Sequence, residues 1–95
     1  MLDVKQAIAI AVRYVTELLG GEPIADVRLE EVELSEDGAV WNVTLSLLRE
    51  PRFSQGNVAS AMLQVIAPKL ERLYKVLAVD SNTGAVKSMK IRHLP

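Results

Sequence analysis

The sequence predicts an α+β fold: one long amino-terminal helix packed on a four-stranded antiparallel sheet of two hairpins, with a short helix between the hairpins. Three observations predict it. Apolar residues recur at three- and four-residue spacing from Val4 to Leu19, strict alternation runs from Trp41 to Leu47, and Asp80 to Gly84 separates two aliphatic runs as a turn.

The helix is the clearest element. Val4, Ala7, Ile8, Ala11, Val12, Val15, Leu18 and Leu19 trace one stripe, Asp3 offers an N-cap oxygen, and Gly20-Gly21 ends the pattern. The opposite face mixes Lys5, Arg13, Thr16 and Glu17, which argues against a membrane-surface helix. Pro23 breaks the chain, and Ala25 to Leu34 reads as a strand with a fault. Val27 and Leu29 share one parity and Val32 and Leu34 the other, so the phase slips at Glu30-Glu31, as a β-bulge would make it. Ser35 to Gly38 is a turn, and Ala39 to Leu48 follows with Trp41, Val43, Leu45 and Leu47 on one face. The expected core is therefore Ile8, Val12, Val15, Trp41, Val43 and Leu45.

Glu50 to Asn57 has loop composition, and Val58 to Ala67 reads as the short helix, capped by Asn57 and stopped by Pro68. In the last hairpin Asp80 and Asn82 can bond their own backbone, Gly84 can take positive φ, and Ser81 is expected to be dispensable. The strand before that turn is apolar on both faces, which demands cover on both. Tyr74, Val76 and Ala78 are assigned to the helix-covered side. That leaves Leu73, Lys75, Leu77 and Val79 to be covered by the Val58–Ala67 segment or by another chain, and in the second case they are the partner-binding residues for a second protein or a homodimer. After the turn, Ala85, Met89 and Ile91 share one face, and Val86 shares the other with Ser88, Lys90 and Arg92.

Tyr74-Lys75-Val76, then Val79-Asp80, then Thr83-Gly84-Ala85-Val86 resembles the ending of PepSY domains, and the order of elements is similar to theirs and cystatin-like in layout. The resemblance implies a role in restraining peptidases or in protein–protein regulation.

Ninety-five residues form a single domain, 1–95, and the absence of Cys removes disulfides and thiolate chemistry together. Net charge is −1, but it is divided unevenly: ten acids against four bases give residues 1–50 a charge of −6, and seven bases against two acids give 51–95 a charge of +5. Acidic and basic strands pairing across one sheet would explain this, as would a basic face offered to an acidic partner. So few aromatics accompany the cations that nucleic acid is not an expected partner. No run approaches the ~18 apolar residues of a membrane span, and no basic, then apolar leader opens the chain, so a cytoplasmic location is expected.

The candidates for chemistry are sparse. Glu30, Glu31, Glu33, Glu36 and Asp37 cluster, yet on a strand only Glu31 and Glu33 would share a face. Asp80, Asn82 and Gly84 lack the remaining ligands of a calcium loop, and His93 has no partner at triad or zinc spacing. No catalytic residue, cofactor or metal is expected. The reading is a small non-catalytic protein-binding or regulatory module; the alternative is a small-ligand pocket between helix and curved sheet, lined by Trp41, Tyr74 and Met62.

Overall fold

A computed structural model describes residues 1–49 and 70–93. Its elements are α1 (Val4–Leu18), β1 (Ile24–Leu34), β2 (Val40–Arg49), β3 (Glu71–Asp80) and β4 (Val86–Arg92). The strands form one antiparallel sheet in the order β1-β2-β3-β4, and α1 packs on one of its faces, giving an α+β layout. The short helix expected at Val58–Ala67 lies outside the described residues.

α1 begins on a reciprocal cap. The Gln6 amide donates to Asp3 Oδ1 at 2.8 Å, and the Asp3 amide donates to Gln6 Oε1 at 2.9 Å, so two amides without helical partners are satisfied at once. Ala7, Ala11 and Val15 are fully buried, while Ile8 and Val12 are only half-buried. The contact line thus runs one residue away from the expected one. Small alanines let the helix axis approach the sheet, and the bulkier residues straddle that line.

The face beneath α1 is built from Val43, Leu45 and Leu47 of β2 with Leu77 and Val79 of β3, all fully buried. Directly paired residues share a face, and the register pairs Trp41 with Val79, Val43 with Leu77 and Leu45 with Lys75. This reverses the face assignment of β3: Leu73, Lys75, Leu77 and Val79 belong to the helix side, and Tyr74, Val76 and Ala78 to the other. Alternation divides a strand into two sets, but only pairing with a neighbour decides which set faces in. Trp41 is half-buried at the mouth of the interface instead of deep in the core, and its Nε1–H donates to the Leu2 carbonyl at 3.1 Å.

β4 also departs from simple alternation. Val79 pairs with Val86 while Ala78 pairs with Ser88, and this irregularity brings Val86 to the core beside Met89. Val86 therefore does not share the face of Ser88, Lys90 and Arg92.

Ser81 ties three segments together. It is fully buried; its amide donates to the Ala39 carbonyl at 2.9 Å, its hydroxyl to the Gly38 carbonyl at 2.6 Å, and its own carbonyl accepts from the Leu2 amide at 2.6 Å. The two hairpin turns and the amino terminus meet at this residue, so it is not a dispensable turn position. Nearby Gly84 sits at φ 78°, with Ile10 Cδ1 3.0 Å and Leu2 Cδ1 3.2 Å from where a Cβ would stand.

Two substitutions follow from this corner. Gly84→Val forces a β-branched residue into the left-handed region and should destabilise by ~1–3 kcal/mol. Ser81→Ala leaves a buried carbonyl without its donor and should lose ~1–2 kcal/mol. Urea midpoints equal to wild type in both would remove the claim that this corner clamps the fold.

Candidate protein-binding face

β2 is buried on both sides. Val43, Leu45 and Leu47 meet α1, while Thr44 (4% exposed) and Ser46 (0%) point the opposite way. Among the described residues no helix or strand lies on that second face. Long charged side chains close it instead.

The closure starts at Ser46. Its hydroxyl donates to Glu30 Oε2 at 2.7 Å and accepts from Arg72 Nη1 at 2.7 Å. Arg72 extends from β3 over β2 to β1, where Nη1 reaches the Asp26 carbonyl at 3.3 Å and Nη2 pairs with the Asp26 carboxylate. The same carboxylate holds Arg28 Nη2 at 2.9 Å. Arg92 repeats the reach from β4: its Nη1 lies 3.3 Å from both Thr44 Oγ1 and Glu31 Oε2. Two arginines from the basic carboxy-terminal hairpin thus lie across the sheet onto the acids of β1.

The bulge in β1 makes this possible. Leu29 pairs with Leu45 and Glu31 with Thr44, leaving Glu30 as the extra residue. Glu30 and Glu31 consequently both bond groups on the second face, although a regular strand would send them to opposite sides. The slip was legible in the sequence; its result, two adjacent glutamates on one face, was not. A second shift lies between Ala25 and Arg28, where Asp26 takes φ 52°. Asp tolerates that region better than most residues, and the turn aims its carboxylate at both arginines.

Electrostatics follow the contacts. Hydrogen bonding from Arg28, opposed by burial and supported by a lesser contribution from Arg72, holds Asp26 below the ordinary carboxylate range. The Ser35 hydroxyl and the Ala39 amide lower Asp37, and the Thr83 and Asn82 amides lower Asp80. All three stay charged at neutral pH.

Within this face Tyr74 pairs with Ser46 on one side and Arg92 on the other, and Arg72 precedes it by two residues. Arg72, Leu73, Tyr74, Ile91, Arg92 and His93 line an open cleft of about 280 Å³ at the end of the β3–β4 hairpin. His93, which has no partner at triad or zinc spacing in the sequence, belongs to this cleft. Of the residues the sequence nominated for a partner, Leu77 and Val79 are fully buried under α1, whereas Leu73 and Lys75 are half-buried. The ligand pocket expected from Trp41, Tyr74 and Met62 does not assemble: Trp41 and Tyr74 lie on opposite faces, and Met62 is outside the described residues. A groove of about 350 Å³ does flank α1, lined by Ile10, Arg13, Tyr14, Glu17, Gly84 and Val86, but it is open to solvent. Among the described residues no three metal-ligating side chains cluster, and no helix is long and apolar enough to cross a membrane.

The lowered aspartates fix the sign of the acid response. Carboxylates depressed in the folded state contribute stability that is present above their unfolded value near 3.8 and lost as pH falls through their lower folded values. Urea midpoints should therefore fall as pH drops from about 5 to about 2, and Asp80→Asn should flatten that slope; an unchanged slope would remove Asp80 as a contributor. Comparison of the chain with family models, with curated proteins and with solved structures returned no match.

Proposed function

We propose that this protein is a small non-catalytic protein-binding or regulatory module that binds through the second face of its sheet, centred on Tyr74 between Arg72 and Arg92. The observation that carries the reading is that row: a tyrosine whose neighbours on this face, two residues before it and directly across from it, are arginines, each held in place by hydrogen bonds to β1 and β2. Tyr and Arg are the residue types that most often anchor protein interfaces, and side chains already immobilised lose little further entropy on binding. Asp26, which receives Arg72 on this face, is held charged chiefly by the hydrogen bond from Arg28. The run from Tyr74 to Val86 adds the narrower possibility, by its resemblance to PepSY domains, that the partner is a peptidase under restraint.

Photo-cross-linking from position 90, beside the row, followed by titration of the purified cross-linked partner, tests this. Tyr74→Ala and Arg92→Gln should each weaken binding about tenfold or more, with melting temperatures recorded to separate binding from folding. If the partner is a peptidase, hydrolysis of a fluorogenic peptide should fall as the protein is added. A partner indifferent to both variants, or no cross-linked species from the native cells, overturns the proposal.

A further inference from the structure

The two outer strands of the sheet are complementary to each other. Asp26, Glu30, Glu31 and Glu33 against Arg28 give β1 a charge of −3, while Lys87, Lys90 and Arg92 give β4 a charge of +3. Each strand is paired on one side only among the described residues. Exposure adds a second match. Of the large apolar side chains left exposed, two lie in strands, Leu29 in β1 (46%) and Ile91 in β4 (62%). They stand at opposite ends of a single row across the sheet, Leu29–Leu45–Lys75–Ile91, and share its helix-side face.

We infer that the β4 edge of one molecule receives the β1 edge of a second copy, continuing the sheet head to tail. The geometry needs no rearrangement of strand direction. In an antiparallel meander β1 and β4 run oppositely, so a second copy in the same orientation sets its β1 antiparallel to the first copy's β4. Keeping the rows continuous then places Leu29 of the second copy beside Ile91, which buries both, and Glu31 of the second copy beside Lys90, which follows from the row Glu31–Thr44–Val76–Lys90. Edge strands that carry charge commonly discourage such pairing, but they do so when like charges meet. With Arg92 laid onto Glu31 and Arg28 and Arg72 onto Asp26, a β4–β4 contact would still oppose Lys87 and Lys90 to their copies, and a β1–β1 contact Glu30 and Glu33 to theirs. Charge disfavours both symmetric pairings and selects the unsymmetric one.

The bulge between Leu29 and Glu31 divides the contact into a short regular stretch, Glu31 to Glu33 opposite Lys90 to Ser88, and Leu29 beside Ile91, so the association is expected to be weak and concentration-dependent. A head-to-tail contact of this kind closes into a ring if the sheet twist brings the free edges together and otherwise extends. The inference specifies one partner for the binding module proposed above and uses different residues, the strand edges instead of the Tyr74 row.

Sedimentation velocity from about 5 to about 200 μM tests it by mass action. Wild type should gain mass with concentration, and more so at 50 mM than at 1 M NaCl, because the ionic part is screened while apolar burial persists. Ile91→Asp and Leu29→Asp should each weaken association at least tenfold. Their equimolar mixture should then form a heterodimer that grows no further, since each variant retains the edge that the other lacks. Both sites are solvent-exposed, and circular dichroism melts verify that the variants fold; amide exchange of β4 and β1 in the wild type, slowing as concentration rises, gives an independent readout. A wild type that stays monomeric throughout overturns the edge contact and leaves the Tyr74 face to be judged by its own cross-linking. A mixture that fails to associate, or one variant that self-associates like wild type, overturns the head-to-tail arrangement.

Discussion

The constraint on which this structure depends is the burial of β2 on both faces with, among the described residues, one helix to cover it. Five consecutive residues, Val43 to Leu47, are buried. On the α1 side the solution is hydrophobic contact, with two alanines and a valine pressed onto valine and leucine. On the other side Thr44 and Ser46 are small enough for arginine side chains to pass over them and polar enough to bond the guanidinium groups as they pass. The arginine stems cover apolar surface while their heads stay half in water. Each ion pair alone is partly exposed and contributes little. Their collective effect is larger because they satisfy buried hydroxyls that would otherwise be orphaned.

This arrangement explains the lopsided charge of the chain. The acidic half is acidic because β1 must receive cations, and the basic half supplies them from β3 and β4, two and three strands away. Arg49 closes the far end on the helix side in the same manner, with Nη1 3.6 Å from Glu22 and Nη2 3.4 Å from Glu71. Lys87 lies 3.8 Å from Asp80 at the other end. The sequence distinguished the two halves without revealing that β2 would stand between them.

Helix, strands, turns and the first bulge were legible because each is encoded locally: a cap residue, a period, a glycine, a break in phase. The faces of β3 were not. Tyr74, Val76 and Ala78 are nearly as apolar as Leu73, Leu77 and Val79, so composition could not choose between them, and Lys75 counted against the set that proved to be inside. Lys75 sits on the helix face at the margin of α1's cover, beside exposed Ile91, where its stem can pack while its amine reaches solvent. Ser81 was misjudged for a related reason. A serine in a turn usually serves that turn alone, and nothing local indicates that the other hairpin's turn and the amino terminus converge on it. The Arg72–Tyr74–Arg92 row was hidden by distance in the sequence, since Arg92 joins the other two only through the β3–β4 register.

The second face is a structural surface, and the recognition role proposed for it pulls in the same direction. A guanidinium tethered to a carboxylate is partly neutralised, so it attracts a distant anion less than a free one would. It is also fixed in place, so a partner need not order it on docking. Recognition there should rest on the ring of Tyr74, the arginine stems and the shape of the cleft more than on net charge. Long-range attraction belongs instead to the strand edges, where Lys90 and Glu33 are exposed. Under these two proposals the sheet separates the groups that draw a partner in from the groups that hold it, because closing β2 ties down the arginines at its centre and leaves opposite charges at its two margins.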